Sequence, residues 1–223
     1  MAEPNTILRG VVGSTVHGLS VSSQDDRDEM GICVEPIEHF FGLRKKFEQW
    51  VHRTKPEGVR SGPGDLDLTI YSLAKWARLA IHGNPTILTL LFIPEGAIVY
   101  CDERGYALRG MRDAFIGDNI FGPYLGYMQQ QRKRLENKVK VPNRPELVEA
   151  YGYDTKYAGH ILRLGYQGIE LAETGKLTLP MPEPQRAHIV SVRTGGVSER
   201  DVLNEATRLE ERLVELKRTA ALG

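Results

Sequence analysis

The first hundred residues alternate apolar runs with short polar turns, a pattern typical of strands joined to helices. Residues 7–12 form a mostly apolar run that ends at a Gly-Ser turn, and the run at 32–34 ends shortly before Pro36. Apolar runs of this length, bounded by turn residues, predict buried strands. Residues 64–70 alternate polar and apolar side chains, which predicts a strand with one buried face. This part of the chain is therefore expected to form a sheet.

The rest of the chain shows mainly helical periodicity. Ser72 can cap a helix that ends at Gly83, and a second short helix is expected over 84–92. Apolar positions three or four residues apart predict further helices over 109–115, 122–138, 146–150, 155–174 and 199–220. An extended loop before the last helix is predicted from three prolines, Pro180, Pro182 and Pro184. The pattern thus predicts an α/β lobe followed by a helical lobe.

The composition fits a compact protein without a strong overall charge. Of 223 residues, 41% are hydrophobic and 26% are charged, which suffices for one large domain or two small lobes. Lys plus Arg and Asp plus Glu both number 29, so no global field attracts the chain to nucleic acid. Cys33 and Cys101 lack the spacing of a zinc site and predict reduced thiols in the cytoplasm. The apolar stretch 88–100 is interrupted by Pro94 and too short to span a bilayer, so no membrane partner is expected.

Candidate chemistry begins at the turn after the first strand. Gly13 permits close approach of backbone amides to a ligand, and Ser14 adds a hydroxyl that can hold a phosphate oxygen. Asp26 and Asp28 are separated by one residue, so their side chains point to the same face of an extended strand. Neighbouring carboxylates favour a cation such as Mg²⁺ or Mn²⁺, which prefers oxygen ligands. The pattern predicts metal-assisted phosphoryl chemistry, although a solvated acidic turn fits it equally.

These residues resemble those of nucleotidyltransferases of the DNA polymerase beta superfamily. The mark of that superfamily is a Gly-Ser turn followed, after a short loop, by Asp-x-Asp. Gly13-Ser14 and Asp26-x-Asp28 match it. The longer string GSTVHGLSVSSQDDRDEMGI is similar to the RlaP family of predicted nucleotidyltransferases, linked by name to RNA repair, with His17 where that family usually has Tyr.

The acidic motif departs from the family pattern at three positions. Asp25 replaces the usual Ser, and Arg27 and Glu29 flank the aspartates where the family usually has apolar or aromatic residues. A register in which Asp25 replaces Asp26 or Asp28 at the metal therefore stays open. The same departures also leave open a catalytically silent module that binds nucleotide and regulates.

The superfamily resemblance implies a third carboxylate on an adjacent strand. In the predicted strand 64–70, Asp65, Asp67 and Thr69 share one face. Asp67, which two leucines flank, is preferred to Asp65 as the acid that helps to activate the acceptor hydroxyl. An amphipathic edge strand with one wet side would show the same alternation.

A second polar motif lies in the predicted helix 155–174. Lys156, His160 and Arg163 are spaced i, i+4 and i+7, so they share one stripe of the helix. Such stripes are usually solvated, and His160 also fits a core histidine. However, Tyr-Asp-x-Lys-x-x-x-His-x-x-Arg-Leu resembles the most specific downstream motif of the RlaP family, which favours binding of triphosphate charge. Arg193, before a glycine turn, also matches a family position.

The resemblance implies an α+β fold, with a small mixed-sheet nucleotidyltransferase catalytic lobe over 1–103 and a mainly helical lobe over 104–223. It implies metal-dependent transfer of a nucleoside monophosphate from a nucleoside triphosphate to an acceptor hydroxyl, with release of pyrophosphate. An RNA end is the acceptor that the family name suggests, and a protein or small-molecule hydroxyl is the alternative. The implied metal-binding and catalytic residues are Asp26, Asp28 and Asp67, and the implied nucleotide-binding residues are Gly13, Ser14, Lys156, His160 and Arg163.

Two clusters of basic residues complete the candidate sites. The first is Arg44, Lys45, Lys46, Arg53, Lys55 and Arg60, and the second is Arg132, Lys133, Arg134, Lys138, Lys140 and Arg144. The second cluster surrounds a predicted helix end and a connection that contains proline. Each cluster fits either a solvated face or a track for a polynucleotide.

Overall fold

The computed structural model describes residues 4–21, 27–41, 45–56, 59, 62, 64–136 and 144–221. Within them, the strands are Thr6–Val11 (β1), Arg27–Cys33 (β2), Gln49–Arg53 (β3), Leu66–Ser72 (β4) and Ile98–Cys101 (β5). In the same residues, the α-helices are Gly13–His17 (α1), Ile37–Phe40 (α2), Leu73–Ile81 (α3), Pro85–Phe92 (α4), Glu103–Gly110 (α5), Phe121–Glu136 (α6), Pro145–Tyr151 (α7), Thr155–Thr174 (α8), Glu183–Arg193 (α9) and Glu199–Ala220 (α10). The predicted α+β class is confirmed.

The strands form one mixed sheet in the order β3-β4-β2-β1-β5. β2 and β4 run parallel, whereas the other three neighbouring pairs are antiparallel. Successive side chains of a strand alternate between the two faces of the sheet. In β2, Asp28 and Met30 therefore lie on one face, and Arg27 and Glu29 lie on the other. The register of β2 and β4 pairs Asp28 with Asp67.

The chain divides into two compact units. The first, Met1–His82 with Thr86–Phe115, contains the sheet and the helices up to α5. The second, Gly83–Pro85 with Ile116–Gly223, contains α6 to α10. None of the helices in the described chain is both long and apolar enough to cross a membrane. The assignment of catalytic and phosphate-binding functions to lobes 1–103 and 104–223 stays a prediction.

The core of the first unit forms between the sheet and its helices. Leu8 of β1 and Ile32 of β2 are fully buried, as is Trp76 of α3. The predicted start of α3 is confirmed, because the Ser72 hydroxyl accepts a hydrogen bond from the Lys75 N–H at 3.1 Å. This cap begins α3 at the end of β4, so the helix follows the strand without a loop.

Small residues on α8 allow the helices of the second unit to approach closely. A Cβ on Gly165 would lie 2.7 Å from Leu209 Cδ1 of α10. A Cβ on Gly168 would lie 2.9 Å from Tyr124 Cδ1 of α6. Because protein interiors are close-packed, a larger side chain at either position would push its neighbouring helix away.

Two predictions of local structure are wrong. The predicted loop at Pro180, Pro182 and Pro184 is partly replaced by α9, for which Pro182 is the N-cap residue and Pro184 lies in the first turn. Proline is tolerated there because the first N–H groups of a helix have no intrahelical acceptor. The single helix predicted over 109–115 is also wrong, because α5 begins earlier, where Asp102 accepts a hydrogen bond from the Gly105 N–H at 3.0 Å, and ends at Gly110. A separate 3-10 helix follows over Arg112–Phe115.

Glu29 is a buried charge that connects β1 and β2. Its side chain is 3% exposed, and its two oxygens each lie 2.5 Å from a guanidinium Nε, one of Arg9 and one of Arg27. Arg9 belongs to β1, so this ion pair crosses from strand to strand on the face opposite Asp28.

Replacing Glu29 with Gln should lower the free energy of unfolding by about 1–3 kcal/mol, because two arginines lose a charged acceptor. Glu38→Gln, in the exposed first turn of α2, is the control and should change this free energy by less than about 0.5 kcal/mol. Urea denaturation at neutral pH measures both variants. Equal free energies for the two variants would show that the ion pair does not stabilise the sheet.

Candidate functional site

Asp28 and Asp67 form a carboxylate pair in the first unit. They are Cα partners in the parallel register of β2 and β4, so their side chains lie on the same face of the sheet. Both residues are partly buried, and each is the second residue of its strand. β4 lies between β3 and β2, so the edge-strand explanation for the alternation around Asp67 is wrong.

Gly13 packs directly against Asp28. The Val12 N–H donates to the Asp28 carbonyl at 2.9 Å and thereby holds the turn after β1 beside β2. Gly13 has a φ of +69°, and a Cβ built on it would lie 2.2 Å from Asp28 Oδ2. Glycine is therefore required both by the left-handed backbone and by the space that the carboxylate occupies. Ser14 follows in α1, with its Oγ 3.5 Å from the Ser20 Oγ.

Asp65 has different contacts from Asp67. It precedes β4, and its Oδ2 accepts a hydrogen bond from the Gly62 N–H at 2.9 Å. Lys55 Nζ lies 3.9 Å from its other oxygen. Asp65 thus closes the turn before β4, while Asp67 faces Asp28.

The carboxylate pair fits part of the ligand set of a hard divalent cation, since Mg²⁺ prefers carboxylate oxygens. Asp25 and Asp26 lie outside the described residues. The third metal ligand, and whether Asp25 or Asp26 supplies it, therefore stay predictions. In the part of the chain that the structure describes, no group of three or more His, Cys, Asp or Glu residues could hold a metal ion.

Arg53, which the sequence predicts only as a member of the first basic cluster, lies beside the carboxylate pair. It is the β3 partner of Asp67, and its Nε lies 4.0 Å from Asp67 Oδ1. Its side chain is 46% exposed, so its N–H groups can also reach a ligand in solvent. The place of Arg53 beside Asp67 depends on the pairing of β3 with β4. The sequence of a short and mostly exposed strand does not reveal this pairing.

The downstream basic motif begins with two residues that stabilise the second unit. Asp154 caps α8, because its Oδ1 accepts hydrogen bonds from the N–H groups of Lys156 at 3.0 Å and Tyr157 at 3.1 Å. The Tyr153 hydroxyl donates to the Val197 carbonyl at 2.7 Å. The Tyr-Asp part of the motif therefore has a structural role.

His160 and Arg163 form a hydrogen-bonded pair on α8. The Arg163 Nη2 donates to His160 Nε2 at 2.8 Å, and its Nη1 donates to Gln167 Oε1 at 3.0 Å. His160 must be neutral to accept this bond. Burial, followed by the charge of Arg163, lowers the pKa of His160 from 6.5 to about 3. Burial also lowers the pKa of Arg163 to about 10.

The predicted site residues thus fall into two groups. Gly13, Ser14, Asp28 and Asp67 lie in the first unit, and Lys156, His160 and Arg163 lie in the second. Lys156 is exposed at the start of α8, one turn from the partly buried His160. That the two groups act on one ligand stays a prediction.

The sequence profile of the RlaP family, described as the RNA repair pathway DNA polymerase beta family, matches residues 2–222. The chain belongs to this family. The resemblance inferred from the RlaP motifs is therefore confirmed. The RlaP chain is also similar to a nucleotidyltransferase-like protein from Exiguobacterium sibiricum 255-15 of known crystal structure, with 14% sequence identity and a TM-score of 0.34. The match covers 97% of this chain and 70% of the Exiguobacterium chain. Comparison with curated proteins gives no match.

Gly13→Ala in this RlaP protein should destabilise more than Gly64→Ala. Both glycines have positive φ, so either alanine costs about 1–2 kcal/mol of backbone strain. A Cβ on Gly64 meets no atom within 4 Å, whereas a Cβ on Gly13 overlaps the Asp28 carboxylate and should cost about 1–3 kcal/mol more. Urea denaturation gives both free energies of unfolding. Equal losses would contradict the close packing of Gly13 on Asp28.

His160→Gln should weaken the pH dependence of stability in acid. Between pH 6.5 and about 3, an unfolded His160 binds a proton that the folded residue does not, so the free energy of unfolding falls as the pH falls. The slope from this group is at most about 1.4 kcal/mol per pH unit. Urea denaturation at several acidic pH values should show a smaller slope for the variant than for the wild type and for the surface control His82→Gln. Parallel profiles would contradict the burial of a neutral His160.

Proposed function

We propose that this protein is a metal-dependent nucleotidyltransferase. It transfers a nucleoside monophosphate from a nucleoside triphosphate to an acceptor hydroxyl and releases pyrophosphate. The observation that carries the proposal is the packing of Gly13 on Asp28, with Asp28 opposite Asp67 on the parallel strand. Membership of a DNA polymerase beta family supports the reaction class.

Asp28 and Asp67 would hold Mg²⁺ or Mn²⁺, with Asp26 as the third predicted ligand. Two carboxylates at matching positions of adjacent strands repel each other, and a bound cation relieves this repulsion. When bound, the cation supplies charge stabilisation to the phosphoryl group in transfer. The donors are all oxygens, as Mg²⁺ requires.

The protein's own groups would bind the phosphates and move the proton. Gly13 would let backbone amides of the turn approach a phosphate closely, and the Ser14 hydroxyl would donate to a phosphate oxygen. A carboxylate oxygen of Asp67 would accept the proton of the acceptor hydroxyl as the hydroxyl oxygen attacks the phosphoryl group. Arg53 would place positive charge beside the same reacting groups.

Lys156, His160 and Arg163 would bind the triphosphate through the second unit. His160 and Gln167 both accept hydrogen bonds from Arg163, which fixes the plane of its guanidinium group. A fixed and partly buried cation stabilises developing negative charge more strongly than a mobile solvated one. This positioning is the main task of a protein that catalyses phosphoryl transfer.

An RNA end is the acceptor that we propose, because the family description names an RNA repair pathway. A protein or small-molecule hydroxyl is the alternative, which the balance of 29 basic and 29 acidic residues favours. Incubation with each α-labelled triphosphate and a cell extract distinguishes them, because the label is recovered in RNA, protein or small molecules.

A catalytically silent module is the weaker alternative. The presence of Arg27 and Glu29 beside the aspartates is the feature that suggests it. Both side chains lie on the face of the sheet opposite Asp28, where Glu29 also pairs with Arg9. Their charges therefore belong to a structural ion pair and give no reason to expect loss of activity.

Asp28→Asn and Asp67→Asn should each lower pyrophosphate release from a labelled triphosphate by at least about 100-fold. Loss of groups that merely support a metal ligand costs about 10–100-fold, and loss of the ligand itself should cost more. Asp113→Asn is the control, because its side chain is 88% exposed in the same unit, and it should leave the rate unchanged. Wild-type rates in Asp28→Asn and Asp67→Asn, with Mg²⁺ present, would refute the proposed function.

A further inference from the structure

Two arginines from different elements meet on the ring of Tyr157. The Arg144 guanidinium carbon lies 5.2 Å from the ring centroid, and that of Arg134 lies 6.0 Å from it. Arg134 is in the last turn of α6, Arg144 is the N-cap residue of α7, and Tyr157 is in the first turn of α8. A cation over an aromatic face keeps its N–H groups available for hydrogen bonds to another partner. Three helices thus bring two guanidinium groups to one ring.

Asp154 anchors Arg144 in this position. The Arg144 Nη1 lies 3.2 Å from Asp154 Oδ2, and the other oxygen of Asp154 caps α8. One buried carboxylate therefore fixes both Arg144 and the start of the helix that carries Tyr157. Since Asp154 carries a single negative charge, it cannot balance both arginines.

The cations around His160 make this part of the second unit strongly positive. The neighbouring charges that lower the pKa of His160 are those of Arg163, Arg134, Lys156 and Arg144, in decreasing order. Four like charges around one imidazole repel each other, and an anion bound among them would relieve that repulsion.

We propose that Arg134 and Arg144, positioned by Tyr157, form with Lys156, His160 and Arg163 a polyphosphate-binding site of the second unit that works without metal. The identity of the ligand rests on the proposed function, because a nucleoside triphosphate is the polyphosphate of that reaction. Guanidinium groups suit this ligand, since their planar N–H donors match two phosphate oxygens at once. Tyr157 is a positioning residue that holds the two guanidinium groups in place.

Calorimetry with inorganic tripolyphosphate and the full chain in EDTA tests the site. The wild type should bind, and Arg134→Gln and Arg144→Gln should each weaken binding by about 10-fold, the loss expected for one charge-assisted hydrogen bond. Arg200→Gln removes the same charge from a side chain that is 87% exposed on α10, and it should bind like the wild type. Unchanged affinity in Arg134→Gln and Arg144→Gln, or no binding by the wild type, would overturn the proposal.

Two further measurements separate positioning from folding. Tyr157→Phe keeps the ring and should bind tripolyphosphate like the wild type, whereas Tyr157→Leu should bind about 10-fold more weakly with an unchanged far-UV circular dichroism spectrum. In NMR titrations, tripolyphosphate should raise the pKa of His160, because a nearby anion stabilises the imidazolium. Equal binding by the Phe and Leu variants, or an unchanged pKa of His160, would count against the site.

The outcomes also separate this proposal from the proposed function. Binding of tripolyphosphate in EDTA, together with no nucleotide transfer when Mg²⁺ is present, would support the site and refute the transferase. Nucleotide transfer with Mg²⁺, together with no binding of tripolyphosphate in EDTA, would support the transferase and refute the site. A 5′-phosphorylated oligoribonucleotide that binds more tightly than tripolyphosphate, with the same dependence on Arg144, would overturn the assignment of the ligand as a polyphosphate.

Discussion

The parallel pairing of β2 with β4 is the constraint on which the carboxylate site depends. A shift of one residue would move Asp28 to the opposite face and separate it from Asp67 and Gly13. Glu29 opposes such a shift, because it would move a charge now paired with Arg9 onto the face where Ile32 is buried. The ion pair that departs from the usual family pattern thus supports the register that brings Asp28 to the same face as Asp67.

Much of the local structure of the first unit could be predicted from the sequence. The turn at Gly13 and the cap at Ser72 are short-range signals, because each depends on the conformation of a few neighbouring residues. β3 was missed because four of its five residues are exposed and it has no buried alternation. The pattern does not reveal α9, because Pro182 and Pro184 are typical of a loop and also suit the start of a helix.

The sequence located the candidate site residues better than it located their partners. Asp28, Asp67 and His160 stand in motifs, so a pattern of residue types and spacing suffices to find them. The position of Arg53 beside Asp67 depends on strand pairing, and that of Arg144 on Tyr157 depends on helix packing. Contacts between residues far apart in sequence cannot be derived from local periodicity.

Arg163, which donates to His160, and Arg144, which pairs with Asp154, show how the type of acceptor affects the charge of an arginine. A carboxylate that positions a guanidinium group also offsets its charge, as Asp154 does for Arg144. A neutral imidazole positions the group through a hydrogen bond and leaves the charge in place, as His160 does for Arg163. The depressed pKa of His160 is therefore useful, since a protonated imidazole would repel Arg163 and could no longer accept its hydrogen bond. Burial beside cations thus keeps His160 in the form that positions Arg163 without offsetting its charge.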